Sequence, residues 1–543
     1  RTLAYDGLSR LTSITDAKNQ NTTFTYDALD RLTKRTYADG SSITYAHDAG
    51  GKLTRRDNST DGTTTFAYDA LGRPTSKSLN LATYTLSYDA AGNVTSAGDF
   101  GGAVSYAYDS LNLLTSLTEP DGRVTRFGYD AAGRRTSTAY PNSVTQAITY
   151  DASGRQTRVT GKNAAGTVLT DFSYAYTNPT TGSDAGLRYR MTDTAGAVTN
   201  YSYDALDRLT EARSPATTYA YTFDGNSNRL SQTVNGARTD YTYDAASRMT
   251  KAGSTTYTYD ANGNLTGSSA GMALSYNAKD QTTRVQAAGL LAPSLDMAYE
   301  DADQTERAKS GGTNFESGFL GIAVINEALL VNIHQVRDNR GNLVGQRRDG
   351  GLYYLFDGLG SVVAITDGSG SVRNRYAYGP YGSPITSGTS EQVGNPWGFA
   401  GGYRDTTGLI KFGTRYYDPT LGRWTQRDPV PSELPYAYAG DNPVNFVDPT
   451  GRDLDFGDAL TFASDASGFF APFFPPAGAA SVALSGGALL YECFKGDDCA
   501  AAGAGFAIDV ATAGFAAASA LPEERLVFDA AGSAVDIASR FGS

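Results

Sequence analysis

The chain repeats a short pattern in which β-branched or aromatic residues alternate with polar ones. The runs R-L-T-K-R-T (31–36) and S-S-I-T-Y (41–45) show the alternation, and a period of two is typical of a strand with one buried face. Asp-Gly, Asn-Gly and Ala-Gly pairs separate the runs and favour tight turns, because Gly accepts a positive φ at little cost. The pattern therefore predicts an all-β array of hairpins.

The hairpins recur in a nearly constant register. Each repeat opens on an aromatic residue followed by Asp, and successive openings in the first block lie 20 or 21 residues apart. The openings are Tyr5, Tyr26, His47, Tyr68, Tyr88, Tyr108, Tyr129 and Tyr150 in the first block, and Tyr203, Phe223, Tyr243 and Tyr259 in the second. A single hairpin cannot bury its apolar face, so neighbours must share a core. We expect each Asp to cap the turn that follows it, and each Tyr to pack on the next turn.

Composition narrows the possible functions. The 543 residues include 45 basic and 57 acidic side chains, a net charge of -12, which does not favour binding to nucleic acid. Two Cys are too few for a disulfide scaffold or a cysteine-built zinc cluster. The two His, His47 and His334, are far apart in the sequence. We therefore expect neither a cofactor nor a metal.

The unit Y-D-A-x-G-R-x-T resembles the YD repeat of the RHS (rearrangement hotspot) family. That family includes bacterial polymorphic toxins, the C subunits of insecticidal toxin complexes and the extracellular teneurins. The resemblance extends over roughly residues 1–452. It implies a single long β-sheet that winds into a hollow shell, and a secreted or cell-surface protein whose targeting region lies outside this chain.

A second signature follows the repeats. Residues 353–451 contain Y-x-Y-x-P-Y-G, T-G-L-x-x-F-G-x-R-Y-Y-D-P-x-x-G-R-W and a terminal N-P-x-x-x-x-D-P-x-G. These motifs are similar to the RHS repeat-associated core domain, which closes one end of the shell in the family. We divide the chain into YD repeats (1–275), a continuation of the shell in irregular register (276–352), the core domain (353–452) and a variable C-terminal segment (453–543). The apolar run 319–333 fits either a buried strand pair or a short helix.

The same resemblance implies a site for self-cleavage. In the toxin branches the core cuts the chain just behind itself, after D-P-x-G-L, by means of two aspartates and an adjacent arginine. Arg427 and Asp428 match the R-D-P step, and Asp448, Pro449 and Gly451 match D-P-x-G. Two carboxyls held close together share a proton, so that one acts as base toward water and the other as acid. Arg427 would hold one carboxylate or polarise the carbonyl.

The residue at the cut departs from the family's pattern. Arg452 stands where relatives carry Leu, and Leu454 follows two residues later. Cleavage after Arg452, a shifted cut and no cut are all open. Asp428 and Asp448 each precede Pro, and Asp before Pro also caps turns without any catalytic role.

Other residues of the core domain are weaker candidates. Asp418 in Y-Y-D-P and Asp441 in D-N-P are rival carboxylates that we rank below the pair. Trp397 and Trp424 are expected to anchor the core rather than to serve as ligand platforms.

The C-terminal segment has a different composition. Residues 453–543 are rich in Ala and Gly, lack the Tyr-Asp register and contain no His. We expect an Ala-rich, α-helical tail, which in this family is the variable cargo. A membrane-active tail is a less favoured alternative, because Asp509 would be costly in lipid. Cys493 and Cys499 would pair in an oxidising compartment or remain thiols.

Two classes of function fit these observations. The first is the shell of a secreted polymorphic toxin, which encloses its own C-terminal segment and releases it by aspartyl autoproteolysis near 451–454. The second is a cell-surface protein that binds carbohydrate through Tyr-rich and Asp-rich β surfaces, without self-cleavage. The partners would be the chain's own cargo, secretion or delivery proteins, or surface glycans. Any enzyme activity would act once, in cis.

Overall fold

The structure is a computed structural model of the chain. It describes residues 1–79, 82–287, 294–300, 304–327, 331–348, 350–429 and 434–452. All of these belong to one compact unit, residues 1–462. The C-terminal segment 453–543 lies outside the described residues, and with it the predicted helical tail, Leu454, Cys493 and Cys499.

The described residues form β-strands and three short 3-10 helices, which confirms the all-β prediction. The first block contains β1 (Thr2–Tyr5), β2 (Leu11–Thr15), β3 (Asn21–Tyr26), β4 (Leu32–Thr36), β5 (Ser42–His47), β6 (Leu53–Asn58), β7 (Gly62–Tyr68), β8 (Pro74–Leu79), β9 (Ala82–Tyr88), β10 (Val94–Asp99), β11 (Gly102–Tyr108), β12 (Leu114–Thr118), β13 (Val124–Tyr129), β14 (Arg135–Ala139), β15 (Thr145–Tyr150), β16 (Gln156–Lys162) and β17 (Val168–Ala175). The second block contains β18 (Arg190–Thr192), β19 (Val198–Tyr203), β20 (Leu209–Arg213), β21 (Thr218–Phe223), β22 (Arg229–Val234), β23 (Ala237–Tyr243), β24 (Met249–Ala252), β25 (Thr255–Tyr259), β26 (Leu265–Ser268), β27 (Ala273–Tyr276) and β28 (Thr282–Gln286).

The remaining strands complete the large sheet and add a small one. They are β29 (Leu295–Tyr299), β30 (Arg307–Ser310), β31 (Thr313–Gly318), β32 (Gly321–Glu327), β33 (Val331–Arg337), β34 (Leu343–Arg347), β35 (Leu352–Phe356), β36 (Val362–Thr366), β37 (Val372–Arg375), β38 (Ser390–Glu391), β39 (Tyr403–Arg404), β40 (Ile410–Phe412), β41 (Arg415–Asp418) and β42 (Arg423–Trp424). The 3-10 helices span Thr386–Gly388, Phe399–Gly401 and Ala439–Asp441. Among the described residues, β1 to β38 form one sheet and β39 to β42 form a second.

Each repeat contains the same kind of tight turn after its Tyr-Asp pair, and residues 69–73 show it. The carboxylate of Asp69 accepts the backbone N–H of Leu71 at 3.0 Å and that of Arg73 at 2.9 Å, and its other oxygen accepts Arg73 Nε at 2.7 Å. Gly72 adopts φ +83° within this turn, where a side chain would be strained. The antiparallel register shifts by one residue just before the turn, between Ala67 and Tyr68. The Asp therefore caps the turn that follows it, as predicted.

The tyrosine packs on the preceding turn and not on the next one, which corrects the prediction. Tyr88 donates its hydroxyl to the carbonyl oxygen of Pro74 at 2.8 Å, and the Arg73 guanidinium lies 4.5 Å from its ring centroid. The reason is strand pairing. Because β8 runs antiparallel to β9, the end of β9 lies beside the start of β8, where the preceding turn closes.

Strands far apart in the sequence also contact one another. Asn262 Nδ2 donates to Asp16 Oδ2 at 2.7 Å across 246 residues, and Asn142 Nδ2 donates to the carbonyl oxygen of Asp367 at 2.7 Å across 225 residues. One buried cluster of the described residues mixes early residues with late ones: Val104, Tyr106, Leu114, Leu117, Phe127, Tyr140, Val144, Leu169, Val336, Val344, Tyr353, Leu355 and Ala364. The sheet therefore winds around on itself. We call one turn of this winding a circuit, and strands of a later circuit pack against strands of an earlier one and share its core.

The region of irregular register continues the same sheet. Residues 321–327 and 331–337 form the antiparallel strands β32 and β33, so the apolar run folds as a strand pair rather than as a helix. No described residues form a helix long and apolar enough to cross a bilayer.

Candidate functional site

The small sheet and the chain that follows it form what we call the terminal module, residues 403–429 and 434–452. Its core is aromatic: Tyr417 lies 4.4 Å from Tyr438 between ring centroids, and Phe412 lies 5.9 Å from Trp424. Both Trp424 and Trp397 are buried, as expected of core anchors. The terminal module therefore has a densely packed aromatic core.

The terminal module is bound directly to the large sheet. The backbone N–H of Leu265 donates to the carbonyl oxygen of Thr425 at 2.8 Å, and that of Arg188 donates to Asn445 Oδ1 at 2.7 Å. Arg307 of β30 pairs with Asp405 of the module at 2.7 Å, and both side chains are almost fully buried. Removing one member of such a pair leaves an unpaired buried charge.

The two predicted aspartates come together in this module. Arg415 Nη2 lies 2.9 Å from Asp428 Oδ2 and 2.9 Å from Asp448 Oδ2. The two carboxylate oxygens therefore lie no further apart than the sum of these distances. The side chains of Arg415, Asp428 and Asp448 are 3%, 9% and 4% exposed, so the three charged groups are shielded from solvent. We call them the Arg415 triad.

Each member of the triad is positioned by a different element. Arg415 opens β41, and its guanidinium carbon lies 4.1 Å from the centre of the Trp424 ring, a favourable cation–π contact. Asp428 is held through its backbone N–H, which donates to the carbonyl oxygen of Pro435 at 2.9 Å. Asp448 accepts the backbone N–H of Arg452 on Oδ1 at 3.0 Å. The arrangement depends on residues up to 33 positions apart.

Electrostatics of the triad follow from its burial. Burial lowers the pKa of the Arg415 guanidinium below its ordinary value, while Asp448 and Asp428 act to raise it. An arginine stays protonated even so, since its ordinary pKa is above 12. Burial, together with the nearby Asp448 carboxylate, raises the pKa of Tyr438 well above its ordinary value. Tyr438 is therefore neutral at any physiological pH.

The structure brings most, but not all, of the predicted site residues close together. Asp428, Asp448, Gly451 and Arg452 lie together, with Pro449 in the turn between them, whereas the Arg427 side chain is exposed to solvent. The cation that contacts both carboxylates is Arg415, which sequence reasoning missed. The catalytic role given to Arg427 stays a prediction. A signal for Arg415 does exist, because it stands in the F-G-x-R-Y-Y motif beside two aromatic residues, and a charged residue in an apolar motif is usually paired.

The rival carboxylates lie elsewhere in the module. Asp418 caps a turn, since its Oδ1 accepts the Thr420 N–H at 2.8 Å and the Thr420 hydroxyl at 2.6 Å. Burial raises the pKa of Asp441 to about 6, against the opposing effect of Arg423 and other cations. The carboxylates within ion-pair distance of Arg415 are those of Asp428 and Asp448. Within the described part of the chain, no three or more His, Cys, Asp or Glu side chains form a group able to hold a metal.

Two family models match the chain. The model for the teneurin YD-shell matches residues 187–443, and the model for the RHS repeat matches residues 5–42 and 108–145. A crystal structure of TcdB2-TccC3-TEV superposes with a TM-score of 0.67 at 18% identity, over 83% of this chain and 27% of that one. At this identity the match establishes the fold alone.

Curated relatives match shorter stretches. The tRNA3(Ser)-specific nuclease WapA of Bacillus spizizenii is 27% identical over 270 residues, which cover 46% of this chain and 12% of the relative. The toxin subunit YenC1 of Yersinia entomophaga is 30% identical over 158 residues, 28% of this chain and 16% of the relative. The matched regions therefore span only about one eighth to one sixth of the length of these relatives. The chain therefore contains RHS repeats, is similar to the teneurin YD-shell over residues 187–443, and has the YD-shell fold.

Proposed function

We propose that this chain is the encapsulating shell of a secreted toxin-type protein, and that the Arg415 triad cuts the chain once, close behind the terminal module. The observation that carries the proposal is the position of Asp428 and Asp448, whose carboxylates meet on one buried guanidinium beside the last described turn. Relatives that match part of this chain include a toxin subunit and a nuclease. The C-terminal segment 453–543 would be the cargo.

The charge of the triad favours a proton shared between the two carboxyls. With both carboxylates ionised, the triad has a net charge of −1, whereas with one proton between them it is neutral. Burying an uncompensated charge costs several kcal/mol. A single proton held between the two carboxyls would provide an acid and a base in the same site.

The reaction assigns one task to each group. The ionised carboxylate takes a proton from a water molecule as the water oxygen adds to a peptide carbonyl, and the protonated carboxyl gives its proton to the leaving nitrogen. Arg415 holds both carboxyls in place through a single nitrogen, so the pair keeps its geometry when the proton changes sides. Since the bond is in the same chain, the site acts once.

Enclosure has a physical purpose. A shell would keep a hydrophobic or toxic segment from aggregating or acting before delivery. The partners would then be the cargo itself and the proteins that secrete or deliver it, and the protein would act outside the cell that makes it. These assignments follow the relatives and stay proposals for this chain.

The test is expression of the full chain followed by a denaturing gel. We expect a released fragment of the size of the C-terminal segment, and its loss in Asp428→Asn and in Asp448→Asn. The matched control is Asp130→Asn, which alters the same kind of turn, D-A-A-G-R, within the repeats and should leave cleavage unchanged. A single intact band from the unaltered chain would refute self-cleavage, and binding of the intact repeats to glycans would then favour the adhesion function.

A further inference from the structure

The peptide bond between Gly451 and Arg452 is held at both of its polar atoms. The carbonyl oxygen of Gly451 accepts the Thr414 hydroxyl at 3.0 Å. The N–H of Arg452 donates to Asp448 Oδ1 at 3.0 Å and to Thr450 Oγ1 at 3.1 Å. The hydroxyl donor polarises this carbonyl, and the carboxyl group lies beside the nitrogen that would leave in a hydrolysis.

Two glycines allow this close approach. A side chain at Gly413 would overlap the carbonyl oxygen of Thr450, and one at Gly451 would stand 2.9 Å from the carbonyl oxygen of Phe412. The backbone N–H of Thr414 donates to that same Thr450 oxygen at 2.8 Å. The turn that precedes β41 therefore lies directly against residues 450–451, which brings the Thr414 hydroxyl to the carbonyl.

The repeats provide an internal comparison. The sequence D-x-x-G-R of residues 448–452 recurs at 69–73, 130–134 and 151–155. In each of these three turns the Arg N–H donates to Asp Oδ1 at 2.9 or 3.0 Å, and Arg Nε donates to Asp Oδ2. In the last turn, Oδ2 of the Asp is bound by Arg415 and the Gly carbonyl by Thr414, both from another hairpin.

We propose that Gly451–Arg452 is the bond that is hydrolysed, with Thr414 as a further catalytic residue that donates to its carbonyl oxygen. This inference rests on the proposed function, and it assigns a cut one residue earlier than the family pattern implies. It also accounts for Arg452. The last turn keeps the Arg of the repeat turns, so residue 452 lies after the cut and needs no pocket of its own.

The step balances as an ordinary hydrolysis. The water oxygen bonds to the carbonyl carbon of Gly451 while one carboxylate takes a proton from the water, and the electron pair of the C=O bond moves to the oxygen that faces Thr414. The nitrogen of Arg452, whose N–H donates to Asp448 Oδ1 at 3.0 Å in the uncut chain, becomes pyramidal as the water adds and turns its lone pair toward Asp448. The C–N bond then breaks, and this nitrogen takes a proton from the Asp448 carboxyl. One water is consumed, and the two carboxyls hold one proton before and after.

Intact mass spectrometry of the full chain after expression tests the inference. We expect a large product ending at Gly451 and a small product beginning at Arg452. A small product that begins at Asp453 would overturn this inference and leave the proposed function standing. An uncut chain would refute the proposed function, and this inference would fall with it.

Variants of Thr414 test its role. Thr414→Val keeps the shape and removes the donor, so we expect cleavage to slow by about 10²–10³-fold, the usual effect of losing one donor to a developing oxyanion. Thr414→Ser keeps the donor and should cleave within a few-fold of the unaltered rate. Cleavage of Thr414→Val at the unaltered rate would refute the assignment. The mass of the unaltered products decides the position of the cut even if Thr414→Val does not fold.

Discussion

The contact between two circuits of the sheet can be tested at Lys77. Its Nζ lies 2.6 Å from Glu306 Oε1, 3.3 Å from Glu300 Oε2 and 3.0 Å from the carbonyl oxygen of Ser317. The three partners follow Lys77 by 223 to 240 residues. The Lys77 and Glu300 side chains are 4% and 3% exposed. We call these residues, with Arg56, the circuit contact, since Arg56 Nη2 also pairs with Glu306 at 3.3 Å.

Lys77→Met removes the cation and leaves its carboxylates buried. Breaking a buried ion pair in this way costs about 3–5 kcal/mol. At about 1.4 kcal/mol per factor of ten, the circuits should separate locally about 10² to 4 × 10³ times more often. The matched control is Arg238→Met, which breaks an exposed pair with Asp240. An exposed pair contributes about 0.2–1 kcal/mol.

The effect should depend on pH in a stated direction. Burial raises the pKa of Glu300 to about 7, and Lys77 acts against that rise. Burial also acts to raise the pKa of Glu306, but Lys77 and Arg56 outweigh it and lower the value. A carboxyl with a raised pKa stabilises the fold below its ordinary pKa and loses that contribution as the pH rises through about 7. Lys77→Met should therefore be more damaging at pH 8 than at pH 5, where Glu300 is protonated.

The assay is native-state hydrogen exchange read by mass spectrometry, corrected for the intrinsic effect of pH. We expect faster exchange in peptides from 74–79 and 304–318 in Lys77→Met, and no change in Arg238→Met. Equal exchange in both variants at pH 8 would refute the reasoning, because the circuits would then not depend on this contact. A larger defect at pH 5 than at pH 8 would refute the assignment of the raised pKa to Glu300.

Two further predictions concern the terminal module. Asp405→Ala leaves the buried Arg307 guanidinium without its carboxylate and should lower the free energy of unfolding of the module by about 3–5 kcal/mol. Calorimetry should then give a lower melting temperature. An unchanged melting temperature would show that this ion pair does not stabilise the module. Gly413→Ala places a methyl group on the carbonyl oxygen of Thr450 and should abolish release of the C-terminal fragment on a denaturing gel. The control Gly408→Ala, at φ +86° with open space around it, should strain its turn but leave release intact.

Local features of the fold could be predicted from the sequence because they depend on neighbours in the chain. The capping of each turn by Asp needs only a carboxylate two and four residues before the N–H groups it binds, as at Asp69. The direction in which the tyrosine packs could not be read in the same way. The packing direction depends on the strand register, which brings Tyr88 beside Pro74. The sequence pattern determines that register only once the pairing of β8 and β9 is known.

The repeat pattern could not predict the contacts between segments that are far apart in the sequence. Nothing in the sequence around Lys77 indicates Glu300 and Glu306, because both partners lie more than 220 residues away. In the candidate site, the resemblance to the RHS family predicted Asp428 and Asp448, and in the structure both carboxylates pair with Arg415. The same resemblance implied Arg427 as that cation. Arg415 takes the position instead, since the hairpin of β40 and β41 brings it to the carboxylates.

Electron cryomicroscopy of the full chain tests the central claim most directly. We expect a wall formed by two adjoining circuits of one β-sheet around a cavity, with the terminal module across one end. From the proposed enclosure of the cargo, we also expect additional density for residues 453–543 on the inner side. A flat or open ribbon, a solid particle without a cavity, or C-terminal density on the outer surface would contradict it.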